Sequence, residues 1–138
     1  RLVGSEMCIR DSPGTLTPEW VPGVYDRRLV DYKNLSGLCP IGPRDLVVVA
    51  TAGHKSDIDV VIQAMRAKPA YLGCLGSRRK TAFVRARLEQ EGFTQEQINT
   101  LHLPIGVAIE AEDPEEIAIS IAAEMIHLRR TKLVPRKR

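Results

Sequence analysis

Residues Tyr71–Lys80 read YLGCLGSRRK. An apolar run carrying Gly73 ends at Gly76 and Ser77, three cations follow, and a helical apolar pattern starts at once. That order specifies a buried strand, a glycine-rich turn and a helix N-terminus. Such a turn exposes backbone N–H groups, and the helix dipole adds partial positive charge beside them. Arg78, Arg79 and Lys80 add formal charge at the same place. The local chemistry suits an anion, best a phosphate or a phosphorylated cofactor. The spacing Gly73-x-x-Gly76 is neither the G-x-G-x-x-G of a dinucleotide site nor a Walker A loop. Spacing alone therefore leaves open a tight strand-to-helix turn whose arginines are simply solvated.

Upstream, Leu46–Ala50 (LVVVA) is a continuous apolar run, the mark of a strand buried on both faces. Thr51–Asp57 (TAGHKSD) is a turn, and Ile58, Val61, Ile62 and Met65 then recur at helical spacing, which predicts a helix over Asp57–Ala67 that Pro69 ends. Downstream, Thr81–Glu91 reads as a helix with Phe83, Val84 and Leu88 inward, closed by Gly92. Thr94 and Gln97 form a capping box for a short helix to about Asn99. Leu101–Ile109 (LHLPIGVAI) reads as extended. Asp113-Pro114-Glu115-Glu116 is a strong helix start, and the helix Pro114–Leu128 carries Ile117, Ile121, Ala122, Met125 and Leu128 on one stripe. Strands alternating with helices give an α/β fold: a Rossmann-like parallel sheet flanked by helices, incomplete at its N-terminus. Ligands bind such sheets at the carboxyl ends of the strands, where both TAGHKSD and LGSRRK lie.

The chain has 138 residues, 43% hydrophobic and 4% aromatic, enough for one domain whose core is Val, Ile, Leu and Ala. Its net charge of +3 is modest, and much of the excess crowds the C-terminus, where 131–138 read as a basic tail. No aromatic platform accompanies that tail, which argues against nucleic acid as a partner. Cys8, Cys39 and Cys74 form no metal spacing, and an odd, scattered set suits a reducing compartment. No apolar run approaches the ~20 residues that span a bilayer, and no signal-peptide core is present. These features lead us to expect the cytoplasm and no membrane partner. Residues 1–12 (RLVGSEMCIRDS) fit nothing downstream and read as a foreign or disordered leader. Residues 13–43 are proline-rich and loop-like, with one short strand near Arg28–Tyr32.

With these motifs placed, the chain resembles the Rossmann-type C-terminal domain of the xanthine dehydrogenase accessory protein family (XdhC/CoxI). The matching pieces are VVVATAGHKSD (Val47–Asp57), AYLGCLGSRRK (Ala70–Lys80), HLPIGVAI (His102–Ile109) and DPEEIAISIAAEMI (Asp113–Ile126), in the family's order. The match is best over 40–130 and weaker over 13–39. The resemblance implies a maturation factor for molybdenum hydroxylases. Such a factor would hold molybdenum cofactor (molybdopterin) while it is sulfurated and pass it to an apo-enzyme such as xanthine dehydrogenase. Its other implied partners are a sulfur-donating desulfurase and a second copy of the chain. It implies an accessory protein rather than an enzyme that turns over substrate. The family's first strand and its glycine-rich turn are not found upstream, so the chain reads as the C-terminal part of a longer protein.

Taken with the resemblance, the expected cofactor-binding residues are Gly53, His54, Gly73, Gly76, Ser77, Arg78, Arg79 and Lys80. A molybdopterin carries a phosphate, and this loop offers N–H groups, a hydroxyl and guanidinium forks for it. Gly53 would permit close approach, and His54 would donate to the cofactor or act as a satisfied structural histidine. Asp57 reads as a helix cap. Cys74 could carry sulfur or ligate molybdenum, but a small thiol inside an apolar strand is more simply a core residue. No catalytic or metal-binding constellation is present. Two other readings remain: an NAD(P)-binding oxidoreductase half-domain, against which the missing G-x-G-x-x-G counts, and a docking module with no small-molecule ligand.

Overall fold

The fold follows from which apolar runs can pair. Among the described residues the elements run β1 (Glu6–Ile9), β2 (Asp26–Leu29), β3 (Leu46–Val49), α1 (His54–Ala67), β4 (Tyr71–Cys74), α2 (Arg78–Gln90), α3 (Gln95–Ile98) and α4 (Pro114–Leu128), the last continued by a π-helical turn at Arg129–Leu133. The computed structural model describes residues 6–9, 26–35, 37, 39–51 and 53–133; the side chains of 6–9, 26, 27 and 54 lie outside that description. Two units are distinguished, Arg1–Pro40 and Ile41–Arg138.

In the first unit β1 and β2 pair in parallel, with Glu6 opposite Asp26 and Ile9 opposite Leu29. Four residues of the segment read as a leader thus form a strand, a pairing that needs only backbone groups and that no periodicity in RLVGSEMCIRDS signals. The strand expected near Arg28–Tyr32 begins earlier. By Asp31 the chain has turned, with Asn34 N donating to Asp31 O at 2.9 Å and Lys33 N to Asp31 Oδ1 at 3.0 Å. The proline-rich stretch 13–25 lies outside the described residues.

The second unit has the expected parallel pair. β3 and β4 run side by side with Leu46 opposite Tyr71 and Val49 opposite Cys74. A third chain segment touches β4 at one residue, where Gly73 bridges His102 in parallel. His102 N donates to Leu72 O (2.9 Å) and Cys74 N to His102 O (3.0 Å). The expected extended run Leu101–Ile109 stops there. Pro104 has no N–H to continue the ladder, and Gly106 and Glu110 take positive φ (96° and 57°) that bend the chain away. β4, buried at every residue, is therefore the middle of three adjacent segments.

α1 packs on both strands and on α2, and α2 meets α3. Val61, Ala64, Val84, Leu88 and Ile98 are fully buried, and each large apolar side chain among them contributes about 1.5–3 kcal/mol relative to exposure. Phe83, expected inward, is exposed instead. The buried stripe of α2 is Lys80, Val84 and Leu88, in steps of four. Those steps put Phe83 roughly a quarter-turn off the stripe. The capping boxes at Thr94/Gln97 and Asp113/Glu116 both form. On α4, Ile117, Ile121, Met125 and Leu128 face inward, but Ala122 is exposed. Tyr71, Ile105 and Leu128 form a core cluster with Leu46, Ala70, Ile121 and Met125 around it.

One buried polar contact joins the two strand ends. Lys80 Nζ donates to Asp57 Oδ2 and to Leu75 O, and Asp57 Oδ1 accepts from Thr51 N (2.9 Å) and Thr51 Oγ1 (2.6 Å). Asp57 and Lys80 are both buried. The cap expected of Asp57 falls instead to Gly53 at the N-terminus of α1, and Asp57 sits inside the first turn. Removing one partner strands a buried charge, at a cost of about 3–5 kcal/mol. Both Asp57→Ala and Lys80→Met should lower the urea midpoint strongly. Asp57→Ala should cost more, because it also leaves Thr51 N unpaired.

Cys74 is fully buried on β4. Burial pushes its thiol up to about 11, with nearby Lys80 lowering it and Asp57 raising it. The folded pKa lies above that of an unfolded thiol. The stability this contributes is thus complete below the unfolded value and is lost as pH rises through about 11. Peptide-resolved alkylation at pH 8 should leave Cys74 unmodified in the folded chain and label it after denaturation. Fast labelling of the folded chain would mark it as a reactive thiol.

Candidate functional site

α2 starts at Arg78, ahead of the Thr81 expected from the apolar pattern. Ser77 is the N-cap of α2, and its hydroxyl accepts from Lys80 N at 3.3 Å. The first-turn N–H groups of Arg78 and Arg79 have no acceptor within the helix. Both arginine side chains are exposed. The first-turn amides and the helix dipole put partial positive charge at the start of α2, where the two arginines stand. Lys80 differs from its neighbours: its ammonium is held inside by Asp57 and Leu75 O. The cations of this loop therefore divide: Arg78 and Arg79 are exposed, and Lys80 works as a buried brace.

The glycines divide in the same way. A side chain at Gly76 would lie 2.6 Å from Lys80 Cδ, so this glycine makes room for the brace. One at Gly73 would meet the Ile105 side chain and lie 2.6 Å from the Tyr71 hydroxyl, so Gly73 serves the packing of the core. Gly53 has open space where a Cβ would stand, and an extended φ of −162° that any residue adopts. His54 is the first residue of α1, and its side chain lies outside the described residues.

A cleft of about 290 Å³ opens beside Gly76. It is lined by Leu75 and Gly76 from the β4 end, by the run Pro104–Ala111, and by Ile117 and Ser120 of α4. Gly53, Arg78 and Arg79 do not line it; among the expected residues whose side chains are described, only Gly76 does. The cleft is mostly apolar at its walls, with Val107 and Ile109 partly exposed.

The wall is anchored by a carboxylate. Glu124 Oε1 accepts from Tyr71 Oη (2.7 Å) and Gly106 N (3.2 Å), and lies 3.2 Å from His102 Nδ1. The Tyr71 and His102 rings stack with centroids 4.7 Å apart. Burial, and then the hydrogen bond and negative charge of Glu124, raise the Tyr71 phenol above its ordinary value, so it stays a neutral donor. Gly106, at φ 96°, brings the loop onto Ser120, whose O accepts from Val107 N at 3.2 Å. Tyr71, His102 and Glu124 come from three separate segments. One signal in the sequence could have found this group: Glu124 sits within the apolar stripe of Ile117, Ile121, Met125 and Leu128, where a carboxylate needs buried partners. Among the described residues no His, Cys, Asp and Glu cluster could hold a metal ion, and no helix is long and apolar enough to cross a membrane.

Several known proteins are similar to this chain. Uncharacterized protein YqeB of Escherichia coli K12 is 37% identical over 89 residues, covering 64% of this chain and 16% of that protein. The molybdenum cofactor insertion chaperone PaoD of the same organism is 29% identical over 105 residues, covering 76% of this chain and 33% of PaoD. A probable xanthine dehydrogenase subunit of Bacillus subtilis 168 is 32% identical over 88 residues, covering 64% of this chain and 24% of that protein. The chain thus spans a third or less of the length of these relatives. A crystal structure of a xanthine dehydrogenase from Bacillus halodurans superposes with a TM-score of 0.75 over 94% of this chain and 44% of that one, at 23% identity, a likeness of fold. The family model of the XdhC Rossmann domain matches residues 2–125, nearly the whole length, and the chain belongs to that family.

Proposed function

We propose that this domain binds the molybdenum cofactor through its phosphate and serves, as part of a longer protein, in maturing cytoplasmic molybdenum hydroxylases such as xanthine dehydrogenase. The observation that carries this is the pair of exposed arginines, Arg78 and Arg79, at the capped start of α2, just beyond the cleft-lining Gly76. Membership of the XdhC Rossmann domain family supports it, and so does similarity to a protein named as a molybdenum cofactor insertion chaperone.

The residues present fit the group. A phosphate ester asks for N–H donors and positive charge, which Arg78, Arg79 and the first turn of α2 supply. A flat heterocycle asks for an apolar slot, and the cleft lined by Gly76 and Pro104–Ala111 has mostly apolar walls. Bound, the cofactor would bring the redox-active molybdenum centre needed by the client enzyme. This chain's residues would hold, orient and release it. Binding by exposed arginines suits transfer, because the contacts can be handed to a partner one at a time. Lys80 and Asp57 keep the loop in shape during that exchange. The apo-hydroxylase and a sulfur-donating desulfurase are the proposed partners.

The test is cofactor affinity of the wild-type chain and of Arg78→Ala/Arg79→Ala. The double variant should bind molybdopterin about ten- to a hundred-fold more weakly, the scale of one or two charge-assisted hydrogen bonds, with its urea midpoint unchanged. Unchanged affinity with an intact fold would remove the anion site from this loop and favour the docking module. Saturable binding of NAD(P)H in place of the pterin would favour the oxidoreductase half-domain.

A further inference from the structure

Two polar side chains belong to residues that line the cleft beside Gly76, those of Glu110 and Ser120. Ser120 is committed. It is buried, and its hydroxyl donates to Ile117 O at 2.8 Å within α4. Glu110 is not. It is exposed, and among the described residues its carboxylate takes no hydrogen bond and no ion pair. It differs in this from the acids that follow it. The Asp113 carboxylate caps α4, the Glu116 carboxylate accepts from the amides of Glu112 and Asp113, and none of these three residues lines the cleft.

The backbone of Glu110 is also strained. Its φ of 57° lies in the left-handed region, where glycine is at ease and a residue with a Cβ is not. A glutamate is thus held, at a cost to the fold, where glycine would relax the loop. Strain of this kind collects at ligand clamps.

A cleft of about 290 Å³ lies at the small end of ligand pockets and admits one fused ring system. Its apolar walls suit the two faces of such a ring. A carboxylate offers acceptors only, so the ring edge that it takes must present donors. Two adjacent N–H donors match its two oxygens, as the fork of a guanidinium does. The edge of a 2-amino-4-oxopyrimidine has that pair, the 2-amino group beside N3–H. A 2,4-dioxopyrimidine sets a carbonyl where the amino group stands and turns an oxygen toward the carboxylate.

We propose that Glu110 is the specificity-determining residue of the cleft, its carboxylate accepting from the 2-amino group and N3–H of a fused 2-amino-4-oxopyrimidine. This rests on the reading of the cleft as the slot for the cofactor's heterocycle, a pterin, which carries that edge.

Calorimetric titration of the full chain with 6-hydroxymethylpterin and with 6-hydroxymethyllumazine, its 2,4-dioxo counterpart, tests this. Neither probe carries a phosphate or a metal, so the result is separate from that of the arginine variants. The chain should bind the pterin about tenfold or more tightly than the lumazine, the scale of one hydrogen bond to a charged group. Glu110→Gln should invert that order, because a glutamine amide accepts from N3–H and donates to the lumazine O2. Glu110→Gly should bind both probes equally weakly, with a thermal midpoint no lower than that of the wild type, because glycine adopts this φ freely. Glu112→Gln, off the cleft, should behave as wild type. Pterin affinity unchanged in Glu110→Gln and Glu110→Gly would overturn the proposal and leave the phosphate site to its own test. So would equal affinity of the wild type for the two probes, or binding of neither. Guanosine carries the same edge on a purine. Its binding in preference to the pterin, with the same response to Glu110→Gln, would uphold the role of Glu110 and overturn the cofactor reading instead.

Discussion

The sheet edge of this domain depends on the buried contact between Asp57 and Lys80. Taking a carboxylate and an ammonium out of water costs several kcal/mol for each ion, and attraction between them repays it only when the remaining hydrogen-bonding capacity is met. Here it is largely met. Asp57 also accepts from the amide and hydroxyl of Thr51, and Lys80 also donates to Leu75 O. The contact thereby ties together the loop after β3, the first turn of α1, the end of β4 and the first turn of α2. A hydrophobic pair of equal volume could fill the same space, but it could not fix the register of two strand-end loops through their backbone groups. Arg78 and Arg79 gain a defined position because the residue after them is anchored inside.

The second organising group is Glu124. It gathers Tyr71, His102 and the amide of Gly106 onto one oxygen. Gly106 begins the bend of the cleft wall, so a side chain facing the core decides the shape of a surface feature. Glycine roles follow from the same closeness. Gly73 and Gly76 are small because Ile105, Tyr71 and Lys80 occupy the space beside them. Gly53, by contrast, faces open space. A glycine-rich loop at a strand end is commonly taken as a ligand cradle; in this domain Gly73 and Gly76 chiefly admit protein atoms.

α4 joins these themes. Its inner face supplies Glu124, Ser120 and the apolar residues that close the core, while its outer face leaves isoleucines in solvent. Its start is fixed by reciprocal capping between Asp113 and Glu116. Hydrogen bonds from the amides of Glu112 and Asp113 hold the Glu116 carboxyl below its ordinary value.

By itself the sequence determined the local elements. The apolar runs at Leu46–Val49 and Tyr71–Cys74 and the capping boxes at Thr94 and Asp113 are consequences of side chains acting on their own neighbourhood, and they were legible for that reason, whereas α2 begins at Arg78, ahead of the expected Thr81. The parallel pairing was legible too, because two buried runs joined by a helix have little choice. The family was legible from motif order. Tertiary structure alone decided the inward turn of Lys80, the exposure of Phe83 and the end of the third strand segment at His102. It also decided the meeting of Tyr71, His102 and Glu124. Each of these depends on which residues distant in the chain compete for one buried position. Desolvation settles that competition: an ammonium beside a buried carboxylate goes inside, and a phenylalanine off the packed stripe stays out.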